Sequence, residues 1–229
     1  MIYDWILTNK EMLKLIYALI ICIICAIIVL KTDRLFKLSN HQGIRYLRNA
    51  FFFYGSAFFV RFILGTTNIV GNYSQFYSVS IKILFEFSIV MAGFFLFYSL
   101  IWKRIEKRTQ YNSLINFNIG ILYLISIIIT ALDFVQNTDF FMYFSQIILF
   151  AIMTIISFKN FYEGGRRYKF LKYYFLTMIF GLLAWTLNTA LFYLLNWNKV
   201  VQMQVYTLNI IFFLLFLYGI IKITNTKNG

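Results

Sequence analysis

Proline is absent from all 229 residues, histidine occurs once, cysteine twice, and 8 acidic residues stand against 21 basic ones. Each scarcity excludes something. Without proline, a kinked or broken helix needs another cause, such as Gly55, Gly93, Gly120 or Gly181. The one histidine, His41, lies between apolar stretches, so no Ser–His or Cys–His pair can form within them. Neither H-E-x-x-H nor G-x-S-x-G occurs. Cys22 and Cys25 share a helix face at i, i+3, but a metal site needs about four ligands. They read as buried structural thiols. An intramembrane aspartyl site needs two aspartates inside spans, whereas Asp133 falls at an edge and Asp139 in a loop. Gly164-Gly165-Arg166-Arg167 lacks the strand–loop–helix setting of a phosphate cradle. The expectation is a protein without catalytic chemistry, cofactor or metal.

Charge is scarce as well. Only 13% of residues are charged, against roughly 25% in soluble domains, while 61% are hydrophobic and mean hydropathy is +0.75. A helix crosses a bilayer with about 20 mostly apolar residues. Seven such stretches occur, at about 13–30, 46–64, 79–102, 114–132, 140–158, 171–195 and 203–221. No connection approaches the ~50 residues at which domains begin. The chain therefore reads as an all-α membrane protein, one seven-helix transmembrane bundle over 1–229 with no soluble domain. Leu13–Leu30 exceeds a typical signal h-region and no A-x-A-like site follows, so the first span is expected to be retained.

The basic residues alternate. Lys31, Arg34, Lys37 and Arg45 fill the first connection, Lys103, Arg104, Lys107 and Arg108 the third, and Lys159, Arg166, Arg167, Lys169 and Lys172 the fifth. Lys222 and Lys227 follow the last span. Gly65–Ser78 has no Lys or Arg, the fourth connection has only Asp133 and Asp139, and the sixth holds Lys199 alone. Short loops rich in Lys and Arg stay cytoplasmic, which puts the N-terminus outside and the C-terminus inside a cell membrane. The net charge of +13 then points to anionic lipid headgroups rather than nucleic acid. Trp5, Trp102 and Trp197 near span ends suit an interfacial belt, and the sequon Asn72-Tyr73-Ser74 falls in an outside loop.

A shift of 127 residues lays the first three spans on the last three. Arg45 then meets Lys172, Tyr46 meets Tyr173, Phe53 meets Phe180 and Ala57 meets Ala184. Phe58 meets Trp185, Arg61 meets Asn188 and Lys82 meets Asn209. This is a parallel three-plus-one-plus-three pattern with the fourth span as linker.

Ionisable residues inside a span cost at least ~2.5 kcal/mol near its centre and often mark function. Arg48 lies near the cytoplasmic edge and can snorkel. At 1.5 Å per residue, Arg61 sits roughly 6 Å below the outer edge, and Glu86, Gln146, Asn188 and Asn209 roughly 9–10 Å below it. Lys82 and Glu86 share a face at i, i+4, and Arg61 is expected to pair with Glu86. The sequence thus predicts a pocket open to the outside, lined by Arg61, Glu86, Trp185, Asn188 and Asn209, with Lys82, Gln146 and Asp133 as secondary lining. Ordinary interhelical hydrogen bonding is the structural alternative.

The three-plus-one-plus-three pattern resembles the SWEET and PQ-loop sugar and amino-acid transporters, a resemblance that implies small-solute transport. Those repeats carry gating prolines that this chain lacks. Seven spans with an outer N-terminus also resemble microbial rhodopsins, which hold retinal on a lysine of the seventh span. Met203–Ile221 contains none. The same architecture is similar to the seven-helix sensory domains of bacterial and archaeal signalling proteins. The leading expectation is a receptor-like or sensory module for a small-molecule ligand. A transporter and a non-catalytic scaffold or subunit are the alternatives, and a membrane or signalling protein is the expected partner.

Overall fold

The computed structural model of the chain describes residues 10–39, 42–70, 75–106, 117–163, 169–193 and 199–226. Trp5, His41, the sequon at Asn72, Lys107, Arg108, the Gly164–Arg167 segment, Trp197 and Lys227 lie outside them. Among the described residues there are seven helices: α1 Lys10–Ser39, α2 Gln42–Val70, α3 Gln75–Glu106, α4 Phe117–Gln136, α5 Phe140–Glu163, α6 Lys169–Tyr193 and α7 Lys199–Thr226. All seven are long and apolar enough to cross a membrane. The chain has the make-up of a multi-pass membrane protein.

Most helices outrun their apolar windows. α1 continues nine residues past Leu30, so Lys31, Arg34 and Lys37 stand on a helix rather than in a loop. Leu, Lys and Arg are good helix formers, and hydropathy marks where a helix leaves the bilayer rather than where it ends. Asp33 on this extension binds Lys37 at 2.9 Å and also pairs with Arg48 of α2. Arg48, expected to snorkel, is thus held by a carboxylate.

α1 packs on α2, α2 on α3, α5 on α6 and α6 on α7; α3 meets α5 and α1 meets α7. These contacts close a ring of six helices, with α4 outside it against α3 and α5. Three neighbours surround α3, and every residue from Ser88 to Gly93 is buried. The α1–α2 contact is close because Gly55 faces the β-carbon of Cys25, which is fully buried.

Aromatic rings fill the middle of the ring of helices. Phe51 of α2 meets Phe216 of α7 edge-on at 4.9 Å, Phe53 stacks on Phe95 of α3 at 5.5 Å, and Phe150 of α5 meets Phe212 of α7 at 5.6 Å. Edge-to-face and offset rings favour such packing. Toward the α1–α2 connection the core is mostly apolar, with Phe51, Leu96, Met153, Met178 and Ile220 all buried beside the small polar Thr32, Ser157 and Thr177. Outward-facing Leu30, Ile127, Val135 and Ile155 are exposed, as bilayer-facing side chains must be.

Candidate functional site

Between the helices, at the end of the bundle that carries the α4–α5 turn, lies a cavity of about 240 Å³. α2 contributes Tyr54, Phe58 and Arg61, and α3 contributes Lys82, Phe85, Glu86 and Ile89. α6 contributes Gly181, Ala184, Trp185 and Asn188, and α7 contributes Asn209, Phe212 and Phe213. Tyr17 of α1, Asp139 of the turn, and Met142 and Tyr143 of α5 complete the wall. Arg61, Glu86, Trp185, Asn188, Asn209 and Lys82 thus share one space. Gln146 and Asp133 are not part of its lining.

Arg61 does not pair with Glu86. Its guanidinium lies 5.8 Å from the ring centres of Tyr17, Phe85 and Tyr206, and one nitrogen donates to the Tyr206 hydroxyl at 3.4 Å. Among the described residues no carboxylate stands within 4.0 Å of it. Ring faces attract the cation through their quadrupoles, but they do not neutralise it. Tyr17 stacks on Tyr206 at 4.2 Å, and its hydroxyl accepts a hydrogen bond from the Asn209 amide at 2.9 Å. These contacts tie α1 to α7 beside Arg61.

Glu86 pairs instead with Lys82, 3.6 Å away on its own helix, and Lys82 reaches the Asp139 carboxylate at 2.6 Å. The i, i+4 spacing makes the first contact local. The second crosses from α3 to the start of α5. Glu86 is 3% exposed while Lys82 is 46% exposed, so the cluster runs from the buried wall to the mouth. Asn188 donates to the Ala184 carbonyl at 2.8 Å. With the donors of Asn188 and Asn209 so engaged, neither side-chain amide oxygen has a hydrogen bond among the described residues.

A capping arrangement places Asp139. At the end of α4 the Thr138 amide donates to the Asp133 carbonyl at 3.0 Å and the Asn137 amide to that of Phe134 at 3.2 Å. Asn137 takes φ 50°. This is a Schellman ending with Asn in the left-handed position. α5 starts one residue after Asp139, where an Asp side chain ordinarily accepts from the first amides of its helix. Here Asp133 does that work: it accepts from Phe141 at 2.9 Å and Met142 at 2.7 Å. The Asp139 side chain is free to reach Lys82. Asp133, expected as secondary lining, is therefore a buried cap that acts from behind the wall.

Gln146 is fully buried on α5 against Gly93 of α3, where a β-carbon on residue 93 would collide with its amide. Neither its Oε1 nor its Nε2 has a hydrogen bond among the described residues. It lies one turn beyond Met142 and Tyr143, below the cavity. Gly181 plays the opposite part: the rings of Phe150 and Phe212 occupy the space its side chain would take. Among the described residues no cluster of His, Cys, Asp and Glu could hold a metal.

Sequence reasoning missed Asp139, Tyr17, Tyr54 and Tyr143. Asp139 carried a signal, since it directly precedes a helix start in a connection free of basic residues. The tyrosines, three among 17, carried none. The lining residues also show a register. Tyr54, Phe58, Arg61, Lys82, Phe85 and Glu86 stand 127 positions before Gly181, Trp185, Asn188, Asn209, Phe212 and Phe213 respectively.

The chain is similar to a protein of Archaeoglobus fulgidus, itself uncharacterised, with 27% identity over 100 residues. That stretch is 40% of this chain and 44% of the relative. No protein-family model and no solved structure matches the chain.

Proposed function

We propose that this protein is a receptor-like membrane module that takes a small polar ligand into the cavity from outside. One observation carries the reading: charged and amide side chains from α2, α3, α6 and α7 meet at one end of the bundle, while apolar packing closes the other. A preformed concave site with a few polar groups on aromatic walls is the usual form of a small-molecule site. The basic residues supply the sidedness. Among the described residues Lys31, Arg34, Lys37, Lys159, Lys172 and Lys222 stand toward the closed end, which favours that end as the cytoplasmic one, against anionic headgroups of the cell membrane. A ligand that orders the cavity would change the packing of α3, which touches α2, α4 and α5. A membrane or signalling protein would read that change, and no catalytic step is assigned.

The helix contacts also support the three-plus-one-plus-three reading. Exchanging α1, α2 and α3 with α5, α6 and α7 maps every contact of the six-helix ring onto another, and six pairs of lining residues share the 127-residue shift. α1 and α5 follow it less closely: Tyr17 and Tyr143 are 126 apart. A two-fold arrangement around a central site is also how many transporters are built, and it is what favours transport as the second reading. Against it stands the mostly apolar, closely packed core between the cavity and the other end.

Thermal unfolding of the purified protein in detergent, screened against a broad small-molecule library, tests the receptor reading. A ligand at 100 times its Kd adds about 2.7 kcal/mol, worth roughly 5–10 °C for a chain of this size. Glu86→Gln should remove that shift while the protein still unfolds cooperatively without ligand. A library without a hit sinks the pocket. Saturable uptake of a hit into liposomes replaces receptor with transporter.

A further inference from the structure

Formal charge inside the cavity is unbalanced in two places. Arg61 has aromatic rings and a tyrosine hydroxyl around it but no carboxylate within 4.0 Å among the described residues. Lys82 has two carboxylates, Glu86 at 3.6 Å and Asp139 at 2.6 Å, which with both ionised leaves that cluster one negative charge in excess. The two imbalances are opposite and face the same space of about 240 Å³. An anion bound at Arg61 would leave the carboxylate excess unanswered and add to it. A cation bound at the carboxylates would leave Arg61 unanswered. Charges out of water are tolerated only when paired and hydrogen-bonded.

Resting on the receptor reading above, we propose that the ligand is a small zwitterion. Its carboxylate sits at Arg61, its ammonium at Glu86 and Asp139, and an apolar substituent completes it. Such a molecule answers both imbalances and brings no net charge into the membrane. The two unbonded amide oxygens of Asn188 and Asn209 add acceptors, which suit an ammonium with three donors and repel a second carboxylate.

The register of the two halves gives the ligand a direction. Arg61, Lys82 and Glu86 on α2 and α3 correspond to Asn188, Asn209 and Phe213 on α6 and α7, so every charged lining position of one half is uncharged in the other. The charged head therefore faces α2, α3 and Asp139 at the start of α5. The apolar substituent lies toward Trp185, Phe212 and Phe213. The cavity equals about eight waters at ~30 Å³ each, which suits a ligand near the size of L-leucine.

The test is a matched set measured on the full-length protein in detergent, by thermal shift and by calorimetry. L-leucine carries both charges, 4-methylpentanoate only the carboxylate, isopentylamine only the ammonium, and isopentanol neither. A panel of other α- and ω-amino acids, with side chains from hydrogen to benzyl, covers the substituent. At least one zwitterion should bind, and its single-charge analogues should bind at least about tenfold more weakly. Arg61→Gln should weaken the zwitterion by at least about tenfold, and Glu86→Gln should abolish its advantage over the matching carboxylate. Should a variant fail to fold, the wild-type ranking alone decides. A carboxylate, amine or neutral analogue that binds as tightly as its zwitterion overturns the inference and leaves the receptor pocket standing. Silence from every zwitterion, with hits elsewhere in the broad library, does the same. Silence from the whole library overturns both.

Discussion

Single carboxylates in this protein differ in what satisfies them, and that difference decides their roles. Asp133 is buried and accepts two α5 amides and the Thr138 hydroxyl, while Asp139 reaches the cavity through Lys82. Asp133→Ala should cost about 1–2 kcal/mol of stability through the lost cap, read by thermal unfolding without ligand. It should also draw Asp139 back onto its own helix and weaken any ligand that needs the Lys82–Asp139 contact, although residue 133 lines no part of the cavity. Unchanged ligand affinity would refute that division of labour. Gly93 makes a second case. Gly93→Ala should destabilise by about 1–3 kcal/mol through overpacking, and adding Gln146→Ala should recover most of the loss, since the obstruction is the Gln146 amide. Additive losses in the double-mutant cycle would mean the two do not couple. The polar residue types inside the spans were legible in the sequence, because they are rare and costly there. The partner of each was not, because a partner is a matter of rotamer and helix rotation. Arg61 was expected to pair with Glu86 and instead stands among aromatic rings for this reason.

The helices were legible one by one, since each apolar stretch is long and all seven are separated by polar or charged connections. Their order around the bundle was not, because bilayer-facing and bundle-facing residues are equally apolar and leave no stripe to read. α4 shows this: it is as apolar as its neighbours yet lies outside the ring, packed chiefly on α3 and α5. Ring closure between α1 and α7 can be checked directly. In a background of Cys22→Ser and Cys25→Ser, cysteines replacing Tyr17 and Tyr206 should be joined by a short bifunctional thiol reagent. The join would show in the intact mass as one reagent molecule added with both thiols consumed. The same reagent should leave a Tyr17→Cys, Ile127→Cys pair unjoined, with one partner on α1 and the other on the outer face of α4. Equal bridging of both pairs would contradict the ring.

Across the whole molecule, the basic residues set the expected sidedness, and reporter fusions test it. A fluorescent protein fused after residue 229 should mature and glow, whereas one requiring the periplasm or exterior should be active after residues 71–74 and inactive after 107–116. The opposite pattern would reverse the molecule and close the cavity to outside ligands. What the sequence by itself determined was the number of apolar helices, the side on which positive charge accumulates, and a common depth for Arg61, Glu86, Asn188 and Asn209. All three follow from position along the chain, because a straight helix converts residue number into depth at a constant rise. Only the tertiary structure decided which of those residues face one another. It set Arg61 among rings, gave Lys82 two carboxylates, and left Gln146 and Asp133 behind the wall. Those outcomes depend on rotation about each helix axis, where one residue turns a side chain through 100°, and helix-to-helix packing alone selects that angle.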